Sequence, residues 1–267
     1  MSERILITGA AGTIGTMLRR AMRREDRILR LVDIAPQRPL EDGEAAELIT
    51  ASITDQAAMD RASAGVDAIV HLAGLVSGGF TWDQYLDVNI NGTHVVFESA
   101  RRAGVTRVVY ASSNHAVGFH PIQEGDLVPD YLFARPDSYY GLSKVAGEAL
   151  GSLYHDRYGI DVVCLRIGSF LDEPTAARNQ WSWLSPGDCA RLVEAAIGAA
   201  SPGFRVVWGV SANSAGILSL EEGHAIGYRP LDDAAAYAIG TDGGNGDFIG
   251  GPFTAAGFDD EGPRGGS

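Results

Sequence analysis

The chain has 267 residues, enough to bury a full core in one large domain. Its 21 lysines and arginines stand against 34 aspartates and glutamates, a formal net charge of −13. That balance lacks the basic footprint of a nucleic-acid binder and reads as surface solubility.

Short apolar runs alternate with helical patterns along the chain. Strands are expected at residues 4–8, 28–32, 46–50, 68–72, 107–111, 161–166 and 205–208. Helices are expected between them, at 13–24, 55–63, 82–103, 138–158 and 186–200. Such alternation predicts a parallel sheet with helices on both faces, an α/β doubly wound fold. The near-continuous Val/Ile/Leu runs are what strands covered on both faces require. Residues 1–166 are read as a cofactor-binding core, and residues 167–267 as a small substrate-binding portion and tail, the two interleaved as one domain. Inserts around 112–136, 168–184 and 208–230 are expected to build the substrate side. The stretch 240–267 is rich in Gly, Asp and Pro and reads as a mobile tail, ending in a disordered cluster at 262–267. Its Phe248, Phe253 and Phe258 predict that part of it docks, on a neighbouring subunit.

No signal-peptide pattern opens the chain, and no apolar stretch is long enough to span a bilayer. Cys164 and Cys189 are the only cysteines; Cys164, in an apolar run, reads as a buried free thiol. A reducing, cytoplasmic compartment fits these features, and no membrane or nucleic-acid partner is expected.

The first chemical signal follows the first strand. Gly9, Gly12 and Gly15 stand in Thr8-Gly-Ala-Ala-Gly-Thr13-Ile14-Gly15, at a strand-to-helix junction. The first permits a sharp turn, the second lets the backbone approach a pyrophosphate, and the third lets the helix pack closely on the sheet. The helix N-terminus then offers unpaired N–H groups and a positive dipole to phosphates. Asp33, 18 residues beyond Gly15, closes the second strand. A carboxylate there accepts ribose hydroxyls and repels a 2′-phosphate, favouring NAD over NADP. Arg38 follows and complicates that preference unless the segment 36–39 aims it away. Further on, Leu72-Ala73-Gly74 forms a small-residue turn that lets the backbone pass close to the cofactor. Asn89, polar in a largely apolar helix, reads as a structural bridge or part of a proton relay, and His71 as a core histidine.

The second signal lies about 125 residues later, in Tyr140-Gly-Leu-Ser-Lys144. Four residues apart, Tyr140 and Lys144 share one helical face. A phenol of pKa about 10 is a poor base at neutral pH. An adjacent ammonium is expected to lower that value. Lys144 also reaches a nicotinamide ribose. Ser112 and Ser113 end the preceding strand, and either can orient a substrate oxygen. Tyr139 is a decoy, because its partner four residues on is Ser143.

Together these motifs resemble the extended short-chain dehydrogenase/reductase family, over roughly residues 4–230. The resemblance implies a Rossmann-type fold, NAD as cofactor and a Ser–Tyr–Lys group of Ser113, Tyr140 and Lys144, with Ser112 beside the cofactor. Cofactor contacts carried over with it fall on Thr13, Ile14, Ile34, Ser52, Ile53, Leu72, Asn89 and Ile167. Ser52 departs from the usual acidic residue at the third strand end, which implies weaker cofactor affinity. Within the family, Ser112-Ser113-Asn114-His115 and the Gly118 and Pro121 that follow are similar to the uronate dehydrogenases. So are Ala134-Arg-Pro-Asp137, Leu165-Arg-Ile-Gly-Ser169 and Val207-Trp-Gly-Val-Ser-Ala-Asn213.

That resemblance implies oxidation of the C1 hydroxyl of cyclic glucuronate or galacturonate to an aldarolactone. A uronate needs one cation and several neutral hydrogen-bonding groups. Arg178 matches the carboxylate-binding arginine, a role its guanidinium fork suits. Ser77, Asn114, His115 and Ser169, on loops at strand C-terminal ends, supply the rest. No metal is expected, and the family implies a homo-oligomer. Two competing readings are a nucleotide-sugar epimerase or dehydratase, against which the short remainder after residue 166 counts, and a non-catalytic NAD-sensing regulator.

Overall fold

The computed structural model describes residues 2–76, 78–123, 125, 127–240 and 247–260. Seven parallel strands form the central sheet, in the order β3-β2-β1-β4-β5-β6-β9. They are β1 (Glu3–Thr8), β2 (Arg27–Asp33), β3 (Ala46–Thr50), β4 (Ala68–His71), β5 (Arg107–Ser113), β6 (Asp161–Ile167) and β9 (Phe204–Gly209). The sheet is doubly wound and Rossmann-like, as the alternation of apolar runs predicts. Successive strand side chains enter opposite faces, and the apolar runs feed two cores. On one face Leu6, Val108, Val162 and Cys164 pack with Met59, Val96, Phe97 and Tyr154. These last come from α2 (Gln56–Ser63), α4 (Gly92–Ala103) and α5 (Tyr139–Tyr158). Across the sheet Ile5, Ile7, Val109, Val163 and Leu165 pack with Leu18 of α1 (Thr13–Ala21) and Leu192 of α7 (Pro186–Gly198).

The strand order reverses between β1 and β4. A crevice opens there at the carboxyl ends of the strands, where doubly wound sheets bind ligands. β5 and β6 run two and one residues past their expected ends, to Ser113 and Ile167, and carry these side chains to the crevice rim.

The expected helix at 82–103 is not uniform. A short α3 (Trp82–Gln84), opened by a Thr81–Gln84 capping box, leads into a π-helical stretch at Tyr85–Asn91 and then α4. Tyr85 and Asn89, four residues apart, share the inward face of this stretch, where each is nearly fully buried. α1 ends at Ala21, short of the expected residue 24.

Two features go beyond the sequence reading. A small second sheet pairs β7 (Ser169–Phe170) with β8 (Trp183–Leu184), bracketing α6 (Asn179–Ser182). The C-terminal segment 247–260 docks on its own chain, contrary to the expected seat on a neighbouring subunit. The Ile122 N–H donates to the Asp247 carbonyl, Ile249 to His120 and Gly250 to Gly118. Phe248 meets Phe119 edge-on, and Ile249 is fully buried beside Val117, Trp181 and Trp208. Phe258 stacks on Phe253. The expected disordered cluster at 262–267 lies outside the described residues. Cys164 and Cys189 are both free and buried. Among the described residues, no helix is long and apolar enough to cross a membrane.

Candidate active site

The glycine loop holds its shape through close approaches. Gly9 has φ +72°, and a Cβ on it would lie 2.7 Å from the Ala73 nitrogen. A Cβ on Gly15 would lie 2.3 Å from the Gly9 carbonyl oxygen, so α1 closes directly on the loop. Gly12 caps α1 without any side-chain hydrogen bond. The first-turn N–H groups, with Thr13 and Ile14, therefore face the crevice with their dipole uncompensated. Asp33 accepts from the Ala11 and Ala35 N–H groups, one per carboxylate oxygen, at 2.8 Å each. Buried Arg19 donates to the Arg38 and Pro39 carbonyls and pairs with Glu44 at 2.7 Å, fixing the loop beyond Asp33.

A cleft of about 820 Å³ runs from this loop past Asp33, Ile34, Ser52 and Ile53. It continues across Leu72, Ala73 and Gly74 to Ser113, Asn114, His115, Tyr140, Lys144 and Ile167. Asn89, expected as a cofactor contact, does not line it. Instead the Asn89 side chain accepts from the Leu75 N–H and donates to the Leu75 carbonyl and the Ser143 hydroxyl. It shapes the turn after Gly74 and ties that turn to α5, the structural bridge of the sequence reading. His71 is a core residue held by Thr8 and Thr93, and burial pushes its pKa down to about 3.

The end of β5 separates the two serines. Ser112 lines the cleft, but its hydroxyl donates backwards to Glu148 at 2.6 Å. Glu148 is buried and holds Arg166 through two 2.8 Å bonds. Ser113, one residue on, faces the other way. Its hydroxyl accepts from the His115 N–H and donates to Asn114 Oδ1, at 3.3 Å each, and stands near enough to the Tyr140 phenol to pull its pKa down.

Ser138 caps α5 by accepting from the Gly141 N–H, and the helix presents Tyr140 and Lys144 one turn apart. The Lys144 Nζ donates to the Ala111 carbonyl at 2.8 Å and lies 5.4 Å from the centre of the Tyr140 ring. The expected lowering of the phenol pKa by Lys144 is not what this geometry gives. Burial pushes Tyr140 up to about 12, against a smaller downward pull from the Ser113 hydrogen bond. The same burial lowers Lys144 to about 8.

The sugar-side residues are tied to one another and to the C-terminal segment. Asn114 donates its Nδ2 to the Ile249 carbonyl at 3.0 Å, and Arg178 its Nη2 to the same oxygen at 3.2 Å. The Arg178 guanidinium lies over the Trp181 ring, and its Nε is buried with no hydrogen-bond partner among the described residues. His115 bonds Asp137 through Nδ1 at 2.7 Å and packs its ring 4.2 Å from that of Phe253. Ser169 shares a hydrogen bond with Ser182 and, like Arg178, does not line the cleft. Ser77 lies outside the described residues. Sequence reasoning missed Glu148 and Ile249, and it gave Asp137, quoted only within the motif 134–137, and Phe253, quoted only as an aromatic of a docking tail, no place at the site.

The model of the NAD dependent epimerase/dehydratase family matches residues 5–172. The chain is 41% identical to the uronate dehydrogenase of Pseudomonas syringae pv. tomato over 240 residues, 90% of this chain and 86% of that protein. It is 37% identical to the L-arabinose 1-dehydrogenase (NAD(P)(+)) of Haloferax volcanii, over 87% of this chain and 98% of that protein. The solved mutant uronate dehydrogenase of Agrobacterium tumefaciens, in complex with NAD, superposes with a TM-score of 0.86 at 35% identity. That match covers 95% of this chain and 97% of the other. With the glycine loop, the Ser113–Tyr140–Lys144 group and these matches in view, the chain belongs to the NAD dependent epimerase/dehydratase family, among its uronate dehydrogenases.

Proposed function

We propose that the chain oxidises the C1 hydroxyl of a cyclic hexuronate, glucuronate or galacturonate, to the aldarolactone with NAD. The observation carrying this reading is one cleft that joins an uncapped α1 N-terminus to Ser113, Tyr140 and Lys144. The relatives named uronate dehydrogenase support the choice of sugar acid. The cleft suits the dinucleotide: Gly9 and Gly12 leave backbone room for phosphates, and Asp33 offers acceptors to the ribose. When bound, NAD supplies the acceptor for the C1 hydride.

In the proposed reaction Tyr140, as phenolate, takes the proton of the C1 hydroxyl while Ser113 holds that oxygen. Burial pushes this phenol up to about 12, so the charge of the phenolate is left to be balanced by Lys144, 5.4 Å from the ring centre. Because the sugar ring stays closed, the product is the 1,5-lactone. Of the sugar-side residues, Asn114 and His115 line the cleft and are assigned hydroxyls of the sugar. The roles proposed for Arg178 on the carboxylate and for Ser77 and Ser169 on further hydroxyls rest on the resemblance to the uronate dehydrogenases, since neither Arg178 nor Ser169 lines the cleft. The division of labour at residue 166, cofactor core before and substrate portion after, belongs to the same proposal. So do a cytoplasmic location, supported by the two free buried cysteines, and self-association through the exposed Leu142, Leu153 and Tyr158 of α5.

The test follows NADH absorbance with glucuronate, galacturonate, L-arabinose and UDP-glucose. Rapid reduction with either uronate is the expected result. Reduction with L-arabinose and neither uronate would replace the substrate with a neutral aldose, the reading that the Haloferax relative favours. Silence with all four, alongside NAD binding, would sink the reading.

A further inference from the structure

Three glycines from distant parts of the chain converge on one buried carboxylate. A Cβ on Gly118 would lie 1.9 Å from Asp137 Oδ2, and one on Gly250 2.0 Å from the same atom. One on Gly141 would lie 2.3 Å from the His115 carbonyl oxygen and 3.1 Å from Asp137 Oδ1. None of the three needs glycine for its backbone. Gly118 has φ −58° and ψ −33°, Gly250 has φ −73° and ψ −14°, and Gly141 lies inside α5. Any L-residue adopts those angles. What glycine provides at these positions is room for Asp137 and the backbone beside it.

The carboxylate they surround is fully engaged. Its Oδ2 meets His115 Nδ1 at 2.7 Å, and its Oδ1 accepts from the Ser138 hydroxyl at 2.8 Å. The side chain has no solvent exposure. Because a carboxylate only accepts, Nδ1 of His115 carries a proton, and Nε2 is left as the ring nitrogen free for other partners. The imidazole so fixed stands edge-on to the Tyr140 ring at 5.8 Å and against Phe253 at 4.2 Å. Asp137 thus touches the three parts that make the sugar end: the turn after β5, the start of the tyrosine helix, and the C-terminal segment.

We infer that Asp137 is a positioning residue for the sugar acid. It holds the His115 ring in one tautomer and orientation and seats Gly250, and with it Ile249 and Phe253, against the sugar end of the cleft. The inference rests on the proposed oxidation at C1. It predicts a defect confined to the sugar, because Asp33 and the glycine loop make no contact with Asp137.

The test uses Asp137→Asn and Gly250→Ala, read by steady-state kinetics in each substrate and by NAD binding. Asparagine keeps an acceptor for Nδ1–H but loses the charge. Alanine at Gly250 fits the backbone and collides with Oδ2. Each variant is expected to raise KM for the uronate about tenfold, the worth of one charged hydrogen bond. NAD affinity should stay within about twofold, as for distant sites. The double variant should be little worse than the worse single one, because both break the same contact. Unchanged KM for the uronate in both variants overturns the inference, as does an equal loss of NAD and sugar affinity. Should Asp137→Asn fail to fold, Gly250→Ala decides alone by the same two readings. If the wild type oxidises a sugar other than a uronate, the same variants are read on that sugar, so a failed substrate reading and a failed role for Asp137 remain distinct results.

Discussion

At the cofactor end of the cleft, Gly9, Gly12 and Gly15 run from the turn after β1 into the first turn of α1, and what the loop offers a ligand is mostly backbone. At the sugar end, Asn114 meets Ile249 across 135 positions and His115 meets Asp137 across 22. The contacts there are side chain to side chain or side chain to carbonyl. Phosphates are recognised by a local backbone shape, which a short run of small residues specifies. A sugar is recognised by directed polar groups, which must be brought from many segments and then held still. Damage at the two ends should therefore separate in kinetics, one end showing in the affinity for NAD and the other in that for the sugar.

The largest expected effect lies where the two ends meet. Tyr140→Phe removes the proton acceptor and keeps the ring, so turnover should fall roughly 10²–10⁴-fold, the range for a general base. NAD affinity, measured by quenching of the four tryptophans, should barely change. Near-normal turnover would remove Tyr140 from the chemistry.

Next comes Gly15→Ala. Its Cβ would sit 2.3 Å from the Gly9 carbonyl oxygen, so helix and loop must part. Overpacking of this kind costs about 1–3 kcal/mol, which should appear as a rise of roughly ten- to a hundredfold in the NAD dissociation constant. A rise in sugar KM with NAD affinity intact would break the proposed separation of the two ends.

Arg178→Ala sharpens the sugar side. Loss of a charged hydrogen bond of about 1.5–3 kcal/mol should raise KM for glucuronate by roughly ten- to a hundredfold. Oxidation of a neutral aldose, where the wild type shows any, should be spared. Equal losses on both sugars would mean that Arg178 supports the C-terminal segment rather than the carboxylate.

The last effect concerns stability and not kinetics. Burial holds His71 near pKa 3, against 6.5 for the free side chain. Between these values the unfolded chain binds a proton that the folded one refuses. Stability from this group is thus complete above about pH 6.5 and falls as pH drops through the window. Urea midpoints from pH 7 to 4 should decline in the wild type and less steeply in His71→Gln. Parallel slopes would place the acid sensitivity elsewhere, for instance at Glu44, whose carboxyl Arg19 holds near 2.

Most of the sheet was readable because its central strands β1, β4, β5 and β6 are apolar runs largely buried on both faces, bounded by turn residues. The cofactor loop was readable for the reason given above, that its function is local. Tyr140 and Lys144 were readable because one helical turn sets their spacing. The π-helical stretch was hidden, since Tyr85 and Asn89, four residues apart, share one face in an ordinary α-helix as well. Asn89 falls among the cofactor contacts that the family resemblance implies, and its partner, the turn at Leu75, is a neighbour only in the folded chain. The lowered Tyr140 pKa expected from Lys144 reversed because spacing reports a neighbour's charge and not the burial of both groups. The seat of the C-terminal segment was equally closed to sequence, because backbone carbonyls such as that of Ile249 carry no residue signature.

That seat has a consequence for how the protein is made. β1, the third strand from one edge of the sheet, is translated before the segment 247–260, and its Glu3 shares Arg27 with Glu194 of α7. A chain emerging from the ribosome can form the loop at Gly9–Gly15 before it gains the Ile249 carbonyl that Asn114 and Arg178 share, which must wait until residue 249 has emerged. Nascent and C-terminally clipped chains should then pass through a state that holds the dinucleotide before it can hold the sugar. Early occupancy by an abundant nucleotide would favour the growing fold by mass action.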